Sequence, residues 1–240
     1  MDEPMNVLVT GGSRGIGRAV VSLLAARGCR VAFTYEKDHP AAESLCGAGE
    51  DILSFCTDAG DFEAAARVVS ELEARWGRID GAVLNAGVAW QGLFTDMEPG
   101  QWQRILSVNL EGVFNYAHAL VPGFVRKKKG SLVAVSSIWG RRGASCESVY
   151  AASKGAVEAF VRSLSRELGP SGIRVNGVRP GLIATDMNRH LTPEEMDALT
   201  GEIPLGMAGT PEDVAEAVWF LLGSRARYIT GEILTVSGGY

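Results

Sequence analysis

Thr10-Gly11-Gly12-Ser13-Arg14-Gly15-Ile16-Gly17 closes an apolar, β-branched run at Met5–Thr10 and opens a run of helical periodicity at Ile16–Arg27. Strand, glycine turn and helix in that order form a ready anion site. Gly11 and Gly15 permit a tight turn and close approach of backbone amides to a pyrophosphate. Gly17 lets the helix pack close to the strand, and the helix N-terminus adds positive potential. The glycines are spaced by three residues and then one, which differs from the common G-x-G-x-x-G pattern.

Outward from that turn the chain alternates. Strand-like runs occur at Met5–Thr10, Arg30–Tyr35, Asp51–Phe55, Gly81–Leu84, Ser131–Ser136, Ile173–Val178 and Ile233–Val236. Helical periodicity fills Ile16–Arg27, Phe62–Trp76, Gln101–Arg126, Tyr150–Leu168 and Pro211–Leu222. Alternation of this kind predicts an α/β fold: a single-domain, Rossmann-type, doubly wound parallel sheet of about seven strands with helices on both faces. Ligands of such sheets sit beyond the C-terminal strand ends, where strand order reverses. At 240 residues with 46% hydrophobic content, the chain suffices for one large core spanning 1–240.

Composition narrows the partners. A net charge of -5 argues against nucleic acid. The dense basic run Arg126–Lys129 reads as a solvated helix end. Cys29, Cys46, Cys56 and Cys146 lack metal-ligand spacing, so no metal site is expected and the thiols read as reduced and mostly buried. The opening Met-Asp-Glu is not a signal peptide, and no apolar run is long enough for a membrane span. The expectation is a cytoplasmic, soluble chain.

Chemistry concentrates downstream. Tyr150 and Lys154 lie four residues apart in Tyr150-Ala151-Ala152-Ser153-Lys154, with Ser137 thirteen residues upstream. On a helix that spacing puts phenol and ammonium on one face. A neighbouring positive charge is expected to lower the tyrosine pKa and make it a usable acid.

The glycine spacing together with this distant pair resembles the short-chain dehydrogenase/reductase family, over nearly the whole chain. The matching pieces are Thr10–Gly17, Asn85-Ala86-Gly87, Asn109, Ser137, Tyr150 with Lys154, Pro180-Gly181 followed by Thr185, Tyr228-Ile229-Thr230-Gly231-Glu232, and Ser237-Gly238-Gly239. The resemblance implies a carbonyl reductase. Tyr150 would protonate the carbonyl oxygen as hydride arrives, Ser137 would hydrogen-bond that oxygen, and Lys154 would hold the nicotinamide ribose. Asn109 would anchor a water leading from Lys154 to solvent. Cofactor contacts are implied for Gly11, Ser13, Arg14, Gly15, Ile16 and Gly17, for Asn85, Ala86 and Gly87, and for Pro180, Gly181, Ile183 and Thr185, besides Tyr150 and Lys154. An acid ending the second strand would bind the ribose of NAD. Here Tyr35 takes that position and Glu36 follows, while Arg14 offers a planar fork to a 2′-phosphate. NADPH/NADP+ is therefore expected in preference to NAD, with Asp58 accepting from the adenine amine.

Two substrates are implied. Ser171–Asn176, Pro180–Met187 and Ile203–Gly206 resemble 3-oxoacyl-[acyl-carrier-protein] reductases of fatty-acid synthesis, with Arg126–Lys129 available to greet an acidic acyl carrier protein. Ser171 stands where those reductases often carry a basic residue. Ser136-Ser137-Ile138-Trp139-Gly140 and Gly143-Ala144-Ser145-Cys146-Glu147 instead resemble reductases of the 5-aminopentanone carried by elongation factor P. There Glu147 would pair with a substrate ammonium and Trp139 would face it. A non-catalytic dinucleotide-binding sensor is the reading from another class. The resemblance further implies a homotetramer, or else a dimer, and a substrate lid over 187–209 with apolar cover from Met187, Leu191, Met196 and Leu199.

Overall fold

The structure is a computed structural model and describes residues 5–47, 51–186 and 192–240. Seven strands form one parallel sheet in the order β3-β2-β1-β4-β5-β6-β7. They are β1 (Asn6–Val9), β2 (Arg30–Tyr35), β3 (Ile52–Cys56), β4 (Gly81–Leu84), β5 (Gly130–Val135), β6 (Ile173–Pro180) and β7 (Ile233–Val236). Order reverses between β1 and β4, which pair in parallel from Val7 opposite Gly81 to Val9 opposite Val83. The glycine turn leaves β1 at that reversal, where a parallel sheet opens a ligand crevice.

Alternate strand residues feed two cores. Val7, Val9, Val31, Phe33, Val133 and Val178 face α1 (Gly15–Ala26), α2 (His39–Cys46) and α9 (Pro211–Leu222). Leu8, Ala32, Leu84, Leu132, Ala134 and Val175 face α3 (Phe62–Trp76), α5 (Gly112–Lys127) and α7 (Ser148–Leu168). Every residue of β5 is buried, as expected of a central strand covered on both faces.

Helix ends follow local chemistry. Asp61 accepts from the Ala64 N–H at 2.9 Å to start α3, and Gly77 ends it at φ +73°. Thr210 and Asp213 form a reciprocal cap at the start of α9.

Four elements depart from expectation. Helix α2 fills a stretch for which the sequence pattern predicts no element; its signal is Asp38, which caps the Ala41 N–H at 3.1 Å, with proline in the first turn. The helix expected over Gln101–Arg126 is divided into α4 (Pro99–Leu106), a π-helical turn at Ser107–Glu111, and α5. Short helices α6 (Trp139–Arg142) and α8 (Pro193–Gly201) also form. The cysteines are free, but Cys29 alone is buried; Cys46 and Cys146 are half-buried and Cys56 is exposed. No helix among the described residues is long and apolar enough to cross a membrane.

Candidate active site

The crevice is built from the tip of β1. The buried Thr10 hydroxyl accepts from the Asn85 and Ala86 N–H groups at 2.9 and 3.0 Å, and the Asn85 amide donates back to the Thr10 and Gly11 carbonyls. These bonds fasten the Asn85–Gly87 turn after β4 to the glycine turn. Gly11 and Gly15 adopt φ of +66° and +53°, the left-handed region in which glycine is unstrained. Ser13 and Gly17 are buried, Ile16 packs on the core beside α1, and Arg14 is exposed.

The expected reacting groups come from the end of β5, from α7 and from the π-helical turn. Ser137 follows β5 and accepts the Trp139 N–H at 3.2 Å on its hydroxyl oxygen. Tyr150 and Lys154 lie on one face of α7, with the Lys154 Nζ 5.8 Å from the Tyr150 ring centroid. Tyr150 lies close enough to Ser137 for the serine hydroxyl to influence the phenol. Asn109 is fully buried. Its Oδ1 accepts the Val88 N–H at 2.8 Å, and its Nδ2 donates to the Val88 carbonyl at 2.9 Å and to the Ser153 hydroxyl at 3.1 Å. A π-helical turn often marks a functional site, and here it aims Asn109 at α7. Ser153 was not anticipated, although it lies inside the Tyr150–Lys154 run. It completes the link by donating to the Tyr150 carbonyl at 2.7 Å.

The electrostatics correct one expectation. Burial pushes the Tyr150 phenol up to about 12; the nearby Ser137 hydroxyl pulls down and the Glu147 charge pushes up. Burial also drops Lys154 to about 8. Helical spacing does bring the ammonium near the phenol, yet Lys154 donates to the Val135 carbonyl at 2.9 Å, and desolvation of the phenolate outweighs its attraction.

Beyond β2 and β3 lies the second half of the crevice. The Tyr35 hydroxyl is 3.0 Å from His39 Nδ1, which turns its ring toward α2. The Gly12 N–H donates to the Thr34 carbonyl at 2.9 Å, so the glycine turn sits beside the tip of β2. Both oxygens of Asp58 are engaged, Oδ1 by the Gly60 N–H at 2.9 Å and Oδ2 by Arg104. Glu36 also meets Arg104, at 2.7 Å. Arg104 on α4 was not anticipated, and nothing in its local sequence signals it.

On the opposite wall, Pro180 ends β6 and the Gly181 N–H donates to Val236 at 2.9 Å. Ile183 bridges Gly209 in parallel, which pins both ends of the intervening segment. Within it, α8 is mostly exposed and Met196 and Leu199 are half-buried; Met187 and Leu191 lie outside the described residues. At the mouth, Cys146 takes φ +63° and its carbonyl accepts the Gly92 N–H at 2.9 Å. The loop thereby delivers Glu147 to the start of α7, while Trp139 stands edge-on to Tyr240 with ring centroids 6.0 Å apart.

The residues fit a nicotinamide dinucleotide. A Cβ built on Gly87 would lie 3.4 Å from Lys154 Nζ and 3.5 Å from Asn109 Oδ1. One built on Gly15 would lie 3.5 Å from the Thr185 methyl. Both glycines thus leave open the two cradles, one beside the lysine and one over the turn, that a side chain would fill.

Comparison with known proteins agrees. A family model described as Enoyl-(Acyl carrier protein) reductase matches residues 11–240. The uncharacterized oxidoreductase YmfI of Bacillus subtilis (strain 168) is 40% identical, over 97% of each chain. The 3-oxoacyl-[acyl-carrier-protein] reductase FabG of Escherichia coli (strain K12) is 37% identical, over 97% of this chain and 95% of FabG. Among solved structures, ElxO with NADP bound superposes with a TM-score of 0.92 at 28% identity, over 99% of both chains. With the family model spanning almost all of the chain and relatives alike over nearly their full length, this chain belongs to the short-chain dehydrogenase/reductase family of oxidoreductases.

Proposed function

We propose that the chain is an NADPH-dependent ketoreductase whose proton donor is Tyr150. The observation that carries this reading is the juxtaposition of Ser137, Tyr150 and Lys154, the last 5.8 Å from the Tyr150 ring centroid, at the C-terminal end of the sheet where the glycine turn opens. A bound NADPH supplies the hydride. Gly11, Ser13, Arg14, Gly15, Ile16 and Gly17 would hold its pyrophosphate end. Tyr35, Asp58, Asn85, Ala86 and Gly87 would flank its adenosine. Pro180, Gly181, Ile183 and Thr185 would line the nicotinamide side, with Lys154 at the ribose. Ser137 orients the carbonyl oxygen, and Tyr150, protonated across the neutral range, delivers the proton to it. Asn109 fixes the π-helical turn against α7 and is suited to hold a water on the path from Lys154.

The substrate is a ketone tethered to a carrier. A 3-oxoacyl thioester on acyl carrier protein is the reading supported by the relatives, including FabG at 37% identity. One observation favours the 5-aminopentanone of elongation factor P as a second reading. Glu147 stands close enough to Tyr150 for its charge to oppose the phenolate, so a cationic ketone would be met by a carboxylate at the reacting group. In the same proposal, residues 187–209 close over the substrate, and the chain works as a homotetramer in the cytoplasm, away from membrane and nucleic acid. The test compares acetoacetyl thioester with the aminopentanone-bearing protein under saturating NADPH, in wild type and Glu147→Gln. Efficient thioester turnover, with no loss on either substrate in Glu147→Gln, sinks the amine reading. Poor thioester turnover by wild type, together with loss of cationic-ketone turnover in Glu147→Gln, sinks the thioester reading. Tyr150→Phe is expected to bind NADPH and lose nearly all turnover with either.

A further inference from the structure

Glu36 stands one residue beyond β2, whose tip lies against the glycine turn. An acid there suits the free 2′-hydroxyl of NADH and repels the 2′-phosphate of NADPH. In this chain that acid is not left to itself. Its Oε2 accepts from Arg104 Nη2 at 2.7 Å and its Oε1 lies 3.3 Å from Lys37 Nζ, so each oxygen faces a cation. Arg104 turns its other prong, Nη1, to Asp58 Oδ2 beyond β3. A single planar guanidinium on α4 therefore ties together the tips of two adjacent strands on the adenosine side of the crevice.

We infer that Arg104 determines cofactor selectivity by holding Glu36 neutralised, which leaves Arg14 and Lys37 to receive a 2′-phosphate. The inference rests on the reading of this crevice as an NADPH site. Arg104, Lys37 and Arg14 together oppose the two carboxylates with one surplus positive charge. Without Arg104 the surplus vanishes and Glu36 keeps only its exposed neighbour Lys37. All three bridged side chains remain about a third exposed, at 35–39%, so the bridge contributes little to folding. Its effect falls instead on whichever charge is brought beside it. Arg104 is thus a positioning residue that acts through Glu36, and its signature is a ratio between two cofactors.

The experiment measures NADPH and NADH affinity by calorimetry for wild type, Arg104→Gln, Glu36→Gln and the double variant, with melting curves for each. Wild type is expected to favour NADPH, and Arg104→Gln to lower the NADPH-to-NADH affinity ratio about tenfold or more. Glu36→Gln, alone or in the double variant, is expected to hold the ratio at or above that of wild type. If Arg104→Gln fails to fold, Arg104→Lys keeps the charge without the two-pronged contact, and its ratio should fall below wild type by a smaller factor. Equal weakening of both cofactors overturns the inference, as does a double variant that keeps the loss, since Arg104 would then touch the phosphate itself or act only on the fold. A wild-type ratio preserved in Arg104→Gln or Arg104→Lys overturns it too. Wild type favouring NADH would instead remove the NADPH reading on which it rests.

Discussion

The Glu158 carboxylate takes one hydrogen bond of 2.7 Å on each oxygen from the Arg179 guanidinium, with the two side chains only 4% and 7% exposed. Glu158 lies one helical turn beyond Lys154, and Arg179 immediately precedes the Pro180-Gly181 wall. Ser136, beside Ser137, has its hydroxyl 3.0 Å from Glu158 and 3.2 Å from the Lys154 carbonyl, while Arg179 reaches Thr235 of β7 at 2.8 Å. One buried pair thereby braces β5, α7, β6 and β7 behind Ser137, Tyr150 and Lys154.

Glu158→Gln would leave the Arg179 guanidinium buried without its counter-charge. Breaking a buried pair from one side costs about 3–5 kcal/mol, whereas replacing both partners by leucine is expected to recover much of that. Burial alone would raise the Glu158 pKa, but the hydrogen bonds from Arg179 and Ser136 and the Arg179 and Arg162 charges prevail and hold it below the usual carboxylate range. A folded value below the unfolded one, about 4.3, means the contribution is complete above that pH and fades as pH falls through the folded value. Urea denaturation of wild type and Glu158→Gln should therefore differ most at neutral pH and converge in acid. A gap that widens on acidification contradicts the assignment.

Lys154 carries the opposite sign. Its ammonium is desolvated and drops to about 8, whereas an unfolded lysine keeps its proton to about 10.4. Between those values the unfolded chain binds more protons, so this group makes the fold more stable as pH rises. Below about 8 the full cost of the buried charge is present. Lys154→Met is expected to melt roughly 7–13 °C above wild type at pH 7, with the difference closing toward pH 10, and to lose turnover. In wild type, kcat/KM for reduction should fall above about pH 8 as Lys154 loses its proton in the free enzyme, while Tyr150, at about 12, remains a phenol. A profile flat to pH 10, or a Lys154→Met variant less stable than wild type, would speak against this account.

Reading distance separates what was legible in the sequence from what was not. The glycine turn and the Tyr150–Lys154 face are local patterns, and the alternation of strands and helices is enough to specify a parallel sheet. Ser137 and Asn109 were legible through their order along a family pattern. The Glu158–Arg179 pair and the Arg104 bridge join residues 21, 46 and 68 positions apart, and Glu158, Arg179 and Arg104 each resemble an ordinary surface charge when read alone. Helix α2 was missed because its eight residues bury only Ala42 and Leu45, too few for a period to show. The π-helical turn was hidden by helical periodicity that runs unbroken across it. The Tyr150 pKa was misjudged for a related reason: spacing gives a neighbour, while burial depends on the whole fold.

Packing between α6 and α7 supplies a test of how tightly Ser137 must be held relative to Tyr150. Gly140 lies against the backbone of α7, and a Cβ there would come within 2.8 Å of the Lys154 carbonyl carbon and 2.9 Å of the Gly155 nitrogen. Backbone atoms cannot swing aside as a side-chain tip can, so Gly140→Ala must displace α6 from α7. The Gly140 N–H donates to the Ser137 carbonyl at 2.9 Å, so that displacement is transmitted to the serine. Glycine turn, Asn85 and Arg104 are untouched, and NADPH affinity should stay within about threefold of wild type. Misplacing one reacting group by about an ångström costs on the order of 100-fold, so kcat is expected to fall between tenfold and 100-fold. Single-turnover kinetics with preloaded NADPH separate the two effects. A slowed chemical step with unchanged cofactor affinity supports the transmitted shift, whereas wild-type kcat would mean that the α6–α7 contact yields without moving Ser137.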